Sequence, residues 1–239
     1  MQVKLAYGQG HLAVDLPDDI TTVIEPIHTP GLPDEKAAVL NSLEYPVRTK
    51  SLRDWITPGA KICIAFTDIT RATPNDRLIP WLLEYLADNS VPRENITLLN
   101  QLGTHRPNTE AELQKMLTPE VVRDYRVINH EPENPAAMKQ FGVMHDGTPA
   151  LINKHLAEAD VRIITGFIEP HFFAGFSGGP KGIMPGCAAL ETVMSSHDAE
   201  NIGHSHSTFG ITIGNPIWEE IRDVALKGDE IIFLRQVIA

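Results

Sequence analysis

A chain of 239 residues, 42% apolar and 21% charged, has material for one large core plus at most a small appendage. Its 31 acidic residues outnumber 20 basic ones, giving a net charge of −11, which argues against a nucleic-acid or anionic-membrane surface. The opening Met1-Gln2-Val3-Lys4 has no apolar leader, no run is long enough to span a bilayer, and Cys63 and Cys187 form neither a CxxC pair nor a disulfide ladder. The expected compartment is the reducing cytoplasm.

Residues 2–16 alternate around Gly8-Gln9-Gly10 and predict a β-hairpin. A connector with Pro26, Pro30 and Pro33 comes next. Asp34 is placed to cap a helix over 35–43, and Ser51 to cap another through Trp55, closed by Pro58-Gly59. Residues 61–66 read as a buried strand with Cys63 as a small core residue. The strand ends in Asp68-Ile-Thr70-Arg71. Leu78, Ile79, Leu82, Leu83 and Leu86 recur at helical spacing over 75–88. A strand over 96–99 leads into Gly103-Thr-His105-Arg-Pro. A helix then runs to Leu117, with Glu112 set for a capping box. Residues 125–128 predict a third strand, 149–156 a strand giving way to a turn, and 161–165 a β-branched strand. Residues 188–201 look helical. Pro216 opens a helix to Leu226, and 230–237 is a last strand.

Alternating strands and helices predict an α/β fold: a doubly wound, mostly parallel, Rossmann-like sheet with helices on both faces and a small N-terminal β-hairpin. The carboxyl ends of parallel strands share one edge, where open α/β sheets bind ligands. The polar clusters after three strands should therefore meet there, although they are far apart in sequence.

The stretch 166–186 lies just after the strand over 161–165 and suits no regular element, being rich in glycine and proline. It carries His171, Ser177, Gly178, Gly179 and Lys181 among Phe167, Phe172, Phe173 and Phe176. An apolar pocket with a few polar groups needs such aromatics; a solvated turn does not. Arg71 can fork onto a carboxylate or phosphate. His105 and His171 can form an acid/base pair. Lys181 can hold a phosphate or bond covalently to a cofactor. The order Ser-Gly-Gly-Pro-Lys is not that of a P-loop. His197 can ligate a metal, but no histidine stands four residues on. A metal-dependent hydrolase using His105, His171 and His197 therefore stays open at this point, as does a non-catalytic nucleotide- or anion-binding domain.

From about residue 60 to 226 the chain resembles the nickel-dependent lactate racemase family. The resemblance rests on Asp68-Ile-Thr-Arg71, Gly103-Thr-His-Arg-Pro107, the run from Phe167 to Lys181, and Ser196-His197. It implies the family's N-terminal, cofactor-holding domain, with the C-terminal domain expected to be absent from residues 1–239. It implies a nickel-pincer nucleotide attached at Lys181, with His197 as a nickel ligand, and Asp68, Thr70, Arg71, Ser177, Gly178 and Gly179 around it. It implies His105 and His171 as acid/base residues, Arg71 near the substrate carboxylate, a small 2-hydroxy acid as substrate and cofactor-biosynthesis enzymes as partners. On that resemblance, hydride would leave a 2-hydroxy acid and return to the other face of the planar keto acid. Two histidines then serve the two hydroxyl positions.

Overall fold

The computed structural model describes residues 1–8, 10–25, 27, 30–227 and the strand backbone of 231–236. Residues 1–31 form one unit and the chain from Leu32 onward a second. In the first unit, β1 (Gln2–Tyr7) pairs antiparallel with β2 (Gly10–Asp15), from Gln2 opposite Asp15 to Tyr7 opposite Gly10, as the alternation predicted.

The second unit opens with α1 (Glu35–Glu44). The Asp34 carboxylate accepts from the Ala37 amide and so caps it. Ser51 does not cap in the same way. It precedes only a 3₁₀ turn, Leu52–Trp55, and its hydroxyl makes no capping bond. The chain then runs β3 (Ile62–Phe66), α2 (Asn75–Asp88), β4 (Ile96–Asn100), α3 (Glu110–Leu117), α4 (Pro119–Asp124) and β5 (Arg126–Asn129). Thr109 and Glu112 close the expected capping box. The short α4 is an addition to the predicted elements. Thr118, at φ +83°, ends α3 and caps α4 by accepting from the Val121 amide, and Pro119 takes the first helical position.

Next come β6 (Met138–Val143) and β7 (Pro149–Asn153), an antiparallel pair outside the main sheet, and a single turn, α5 (Lys154–Ala157). No pattern in the sequence marks β6, whose Lys139 and Gln140 are exposed. β8 (Val161–Phe167) leads to a two-residue ladder, β9 (Pro170–His171) with β10 (Gly175–Phe176). The helix expected over 188–201 is two: α6 (Leu190–Ser196) and α7 (Ala199–Gly203). Asp198 interrupts it by capping α7 through the Asn201 amide. α8 (Pro216–Leu226) and β11 (Ile231–Gln236) complete the chain; of the last predicted strand, residues 230 and 237 lie outside the described residues.

Among the described residues the main sheet has five strands in the order β11-β8-β3-β4-β5, every pair parallel. Pleating divides β3 between two cores. Ile62, Ile64 and Phe66 pack with α1, α2, α3 and α4, while Cys63 and Ala65 pack with β7, α6 and α8. This is the expected doubly wound α/β fold. The chain winds outward from β3 to β5, then restarts at β8 on the other side of β3. The crevice at the β3/β8 boundary is the topological switch point.

Candidate active site

The loops leaving β3, β4 and β8 enclose a cavity of about 240 Å³ at their carboxyl ends. Asp68, Arg71, His105 and His171 line it, together with Ser177, Gly178, Lys181 and His197. The topology thus joins residues up to 129 positions apart, from 68 to 197. Thr70 and Gly179 are not on the wall. Thr70 is exposed and reaches the site through Asp68, and Gly179 is buried in the 3₁₀ turn Gly179–Gly182 that carries Lys181. Nor do all four phenylalanines flank the cavity. Phe167 and Phe173 do, but the tight turn between β9 and β10 sends Phe172 outward, where it meets Phe209 edge-on at 5.2 Å. Phe176, in β10, is also off the wall.

On one side is a relay. The His105 Nδ1 lies 2.7 Å from Oδ2 of Asp68, which is buried. The Thr70 hydroxyl donates to the other carboxylate oxygen at 2.8 Å, and the Arg71 guanidinium donates to Thr70 at 3.3 Å. A carboxylate only accepts, so Nδ1 carries the hydrogen and Nε2 is the free nitrogen of a neutral His105 ring. Asn108 braces the pair from behind. Its side-chain oxygen accepts from the Ile69 amide at 3.4 Å and from Asn100 at 2.9 Å, and Asn129 holds its backbone.

His171 is held the opposite way. Its Nδ1 accepts from the amides of Phe173 and Ala174 at 3.4 and 3.3 Å, so in the neutral ring Nε2 bears the hydrogen. Burial, then the Lys181 and Arg71 cations, then His197, push its pKa down to about 4. His197 caps the end of α6. Burial and Lys181 bring it to about 4 as well, against a smaller opposing effect of the Val193 backbone carbonyl on the ring. Lys181 falls to about 8, through burial and then Arg71. Phe173 stands between these groups: its ring meets His171 edge-on at 4.7 Å and His197 at 5.3 Å, and the Lys181 Nζ lies 5.9 Å from its centre.

The long loop is fastened by Ser177, whose hydroxyl donates to the Phe167 carbonyl at 3.0 Å and accepts from the Glu169 amide at 2.9 Å. Next to it Gly178 has φ +70°, and a Cβ there would fall 2.7 Å from the Phe167 oxygen. Sequence reasoning missed Gln101 and Thr165. Gln101, the first residue after β4, donates to the Thr165 carbonyl at 2.6 Å and bridges β4 to β8 beneath the loop. A polar residue at a strand's carboxyl end was the available signal.

Among the described residues no three of His, Cys, Asp and Glu are gathered as a metal-binding group. His105, His171 and His197 share a cavity without forming such a ligand set, which counts against the hydrolase reading.

Residues 7–210 match the sequence model of the lactate racemase N-terminal domain. The chain belongs to the lactate racemase family. It is 32% identical over 239 residues to the lactate racemase of Thermoanaerobacterium thermosaccharolyticum, covering 99% of this chain and 56% of that protein. Against the lactate racemase of Lactiplantibacillus plantarum it is 34% identical over 187 residues, 78% of this chain and 44% of the relative. The solved lactate racemase apoprotein from T. thermosaccharolyticum superposes with a TM-score of 0.86 at 32% identity, over 100% of this chain and 56% of that one. A Thermotoga maritima protein of known structure gives 0.71 at 26% identity, over 88% and 53%. The chain therefore spans about half the length of the curated relatives it matches. The family match contains every candidate site residue from Asp68 to His197.

Proposed function

We propose that this chain is the cofactor-holding part of a racemase or epimerase acting on a lactate-like 2-hydroxy acid. The observation that carries the reading is the meeting of His105, His171, Arg71 and Lys181 around one cavity at the switch point. The named relatives are lactate racemases, and that supports the substrate class.

Arg71 is the cation on the cavity wall suited to the substrate carboxylate. The free Nε2 of His105 takes the hydroxyl proton of one enantiomer, with Asp68 orienting the ring and stabilising the imidazolium that results. As held here, His171 offers an N–H to the substrate oxygen. It serves as base toward the other enantiomer once its ring releases the amides of Phe173 and Ala174. Phe167 and Phe173 keep water from the reacting carbon.

The chain's residues fit a nickel-pincer nucleotide. Lys181 is an amine brought near neutral pH in an apolar wall, suited to covalent attachment. His197 is an imidazole on the cavity wall that belongs to no set of three metal-ligating side chains among the described residues, so most of the donors would belong to the group itself. When bound, that group supplies the acceptor for the substrate hydride. Enzymes that build it would be the chain's partners, and the cytoplasm its place of work.

The reading is tested with cofactor-loaded intact protein. His105→Ala and His171→Ala should each abolish interconversion of D- and L-lactate, followed by chiral chromatography; full racemisation by either variant overturns the acid/base roles. Intact-mass analysis should show one adduct, lost in Lys181→Ala.

A further inference from the structure

We propose that Ser196 is a positioning residue that fixes the tautomer of His197, placing the ring hydrogen on Nδ1 and leaving Nε2 bare. The inference rests on the reading of His197 as a nitrogen donor, but its test needs no metal.

Ser196 is fully buried at the end of α6. Its Oγ lies 2.6 Å from the His197 Nδ1, 3.2 Å from the Val193 carbonyl oxygen and 3.7 Å from the Met184 sulfur. A hydroxyl has one hydrogen to give, and carbonyl oxygens and thioether sulfurs only accept. Three arrangements satisfy these rules, and two of them, with the hydroxyl hydrogen given to Val193 or to the Met184 sulfur, leave the ring hydrogen on Nδ1. If Ser196 donates to His197, the ring hydrogen sits on Nε2, the Val193 carbonyl loses the hydroxyl bond, and no donor reaches Oγ. If Ser196 donates to Val193, as its i−3 geometry allows, the His197 Nδ1–H donates to Oγ and both groups are paired. The second arrangement makes one more hydrogen bond at a fully buried hydroxyl, where an unmade bond is costly.

Two neighbours act on the same ring. Phe173 meets it edge-on and restrains its plane from one side. Lys181 lines the same cavity, and a cation there favours a lone pair over an N–H on a ring nitrogen facing it. A neutral ring with Nδ1–H and a bare Nε2 is ready to bind a soft metal without first shedding a proton.

The experiment is long-range ¹H–¹⁵N correlation NMR on metal-free, ¹⁵N-histidine-labelled protein near pH 7.5, with His197 assigned by its loss in His197→Gln. We expect a protonated, pyrrole-type Nδ1 and an unprotonated, pyridine-type Nε2. Ser196→Ala should move His197 toward Nε2–H, the form a free neutral imidazole prefers, and Ser196→Thr should restore the first pattern. A pyridine-type Nδ1 in the wild type, or an unchanged spectrum in Ser196→Ala, overturns the proposal. The wild-type spectrum decides even if Ser196→Ala does not fold. In cofactor-loaded protein, Ser196→Ala should retain nickel about 10–100-fold less tightly, measured by metal content after dialysis. The expected tautomer together with no nickel in holo preparations would refute the cofactor reading and leave the Ser196 assignment standing.

Discussion

The cavity's chemistry is set by individual side chains made to differ from their free forms. Lys181 is the clearest case. At about 8, its amine is half free base at pH 8, where an ordinary lysine is almost wholly charged. Labelling of Lys181 by a small acylating reagent, read by peptide mass spectrometry, should rise from pH 7 to 9 and level off above. Arg71→Met removes a neighbouring cation, so the inflection should move to higher pH. A midpoint at the ordinary lysine value in the wild type would contradict the burial argument. Asp68 supports a second prediction. Asp68→Asn leaves the shape intact but cannot hold the His105 hydrogen on Nδ1 in the same way. Racemisation should fall by roughly 10²–10⁴-fold in kcat, with KM little changed. His105, His171, Arg71 and Lys181 were legible because chemistry-bearing types stood in loops after strand patterns, and His197 because it closed a helical one. The Asp68–His105 bond was not, because 37 residues separate its partners and only folding joins them.

At the scale of elements, the 3₁₀ turn under Lys181 is built around a missing side chain. A Cβ on Gly182 would lie 2.1 Å from the Gln101 Oε1 and 2.4 Å from the Ile164 Cγ2. Gly182→Ala should destabilise the fold by about 1–3 kcal/mol through overpacking, read from urea unfolding. Adding Gln101→Ala should recover only part of that loss, since the Ile164 methyl remains. An additive double variant would show that Gln101 and Gly182 do not touch. Elements with strong periodicity were legible: α2 begins and ends where Leu78 to Leu86 placed it. The pattern over 188–201 overstates its helix because apolar spacing continues across the break, while Asp198 is a cap whose direction only the backbone reveals. β6 escapes the same reading because its strand is half exposed and its register shifts at Gln140 and Gly142, which blurs the alternation.

For the whole molecule, the sequence shows that the sheet is parallel, and parallel strands deliver their ends to one edge. It does not show strand order, because that depends on which side of β3 the chain resumes after β5. The observed order puts β8 beside β3, and so sets the Lys181 loop directly against the Asp68 and His105 loops. Packing that assembles the site also buries histidines in neutral form. The His130 Nδ1 accepts from Asn153 at 3.2 Å and its Nε2 donates to the Ala188 carbonyl at 2.9 Å, and burial lowers its pKa. His171 falls to about 4. For both, the folded pKa lies below the unfolded value, so the unfolded chain takes up protons first as pH falls. Their contribution is therefore intact above about pH 6.5 and is lost progressively as pH drops toward the folded values. The urea midpoint should decline between pH 6.5 and 5, ahead of general carboxylate protonation. In His171→Asn the decline over that range should be shallower by up to about 1.4 kcal/mol per pH unit, the effect of one proton no longer gained on unfolding. A slope identical to the wild type would mean that His171 takes its proton as readily in the folded chain as in the unfolded one.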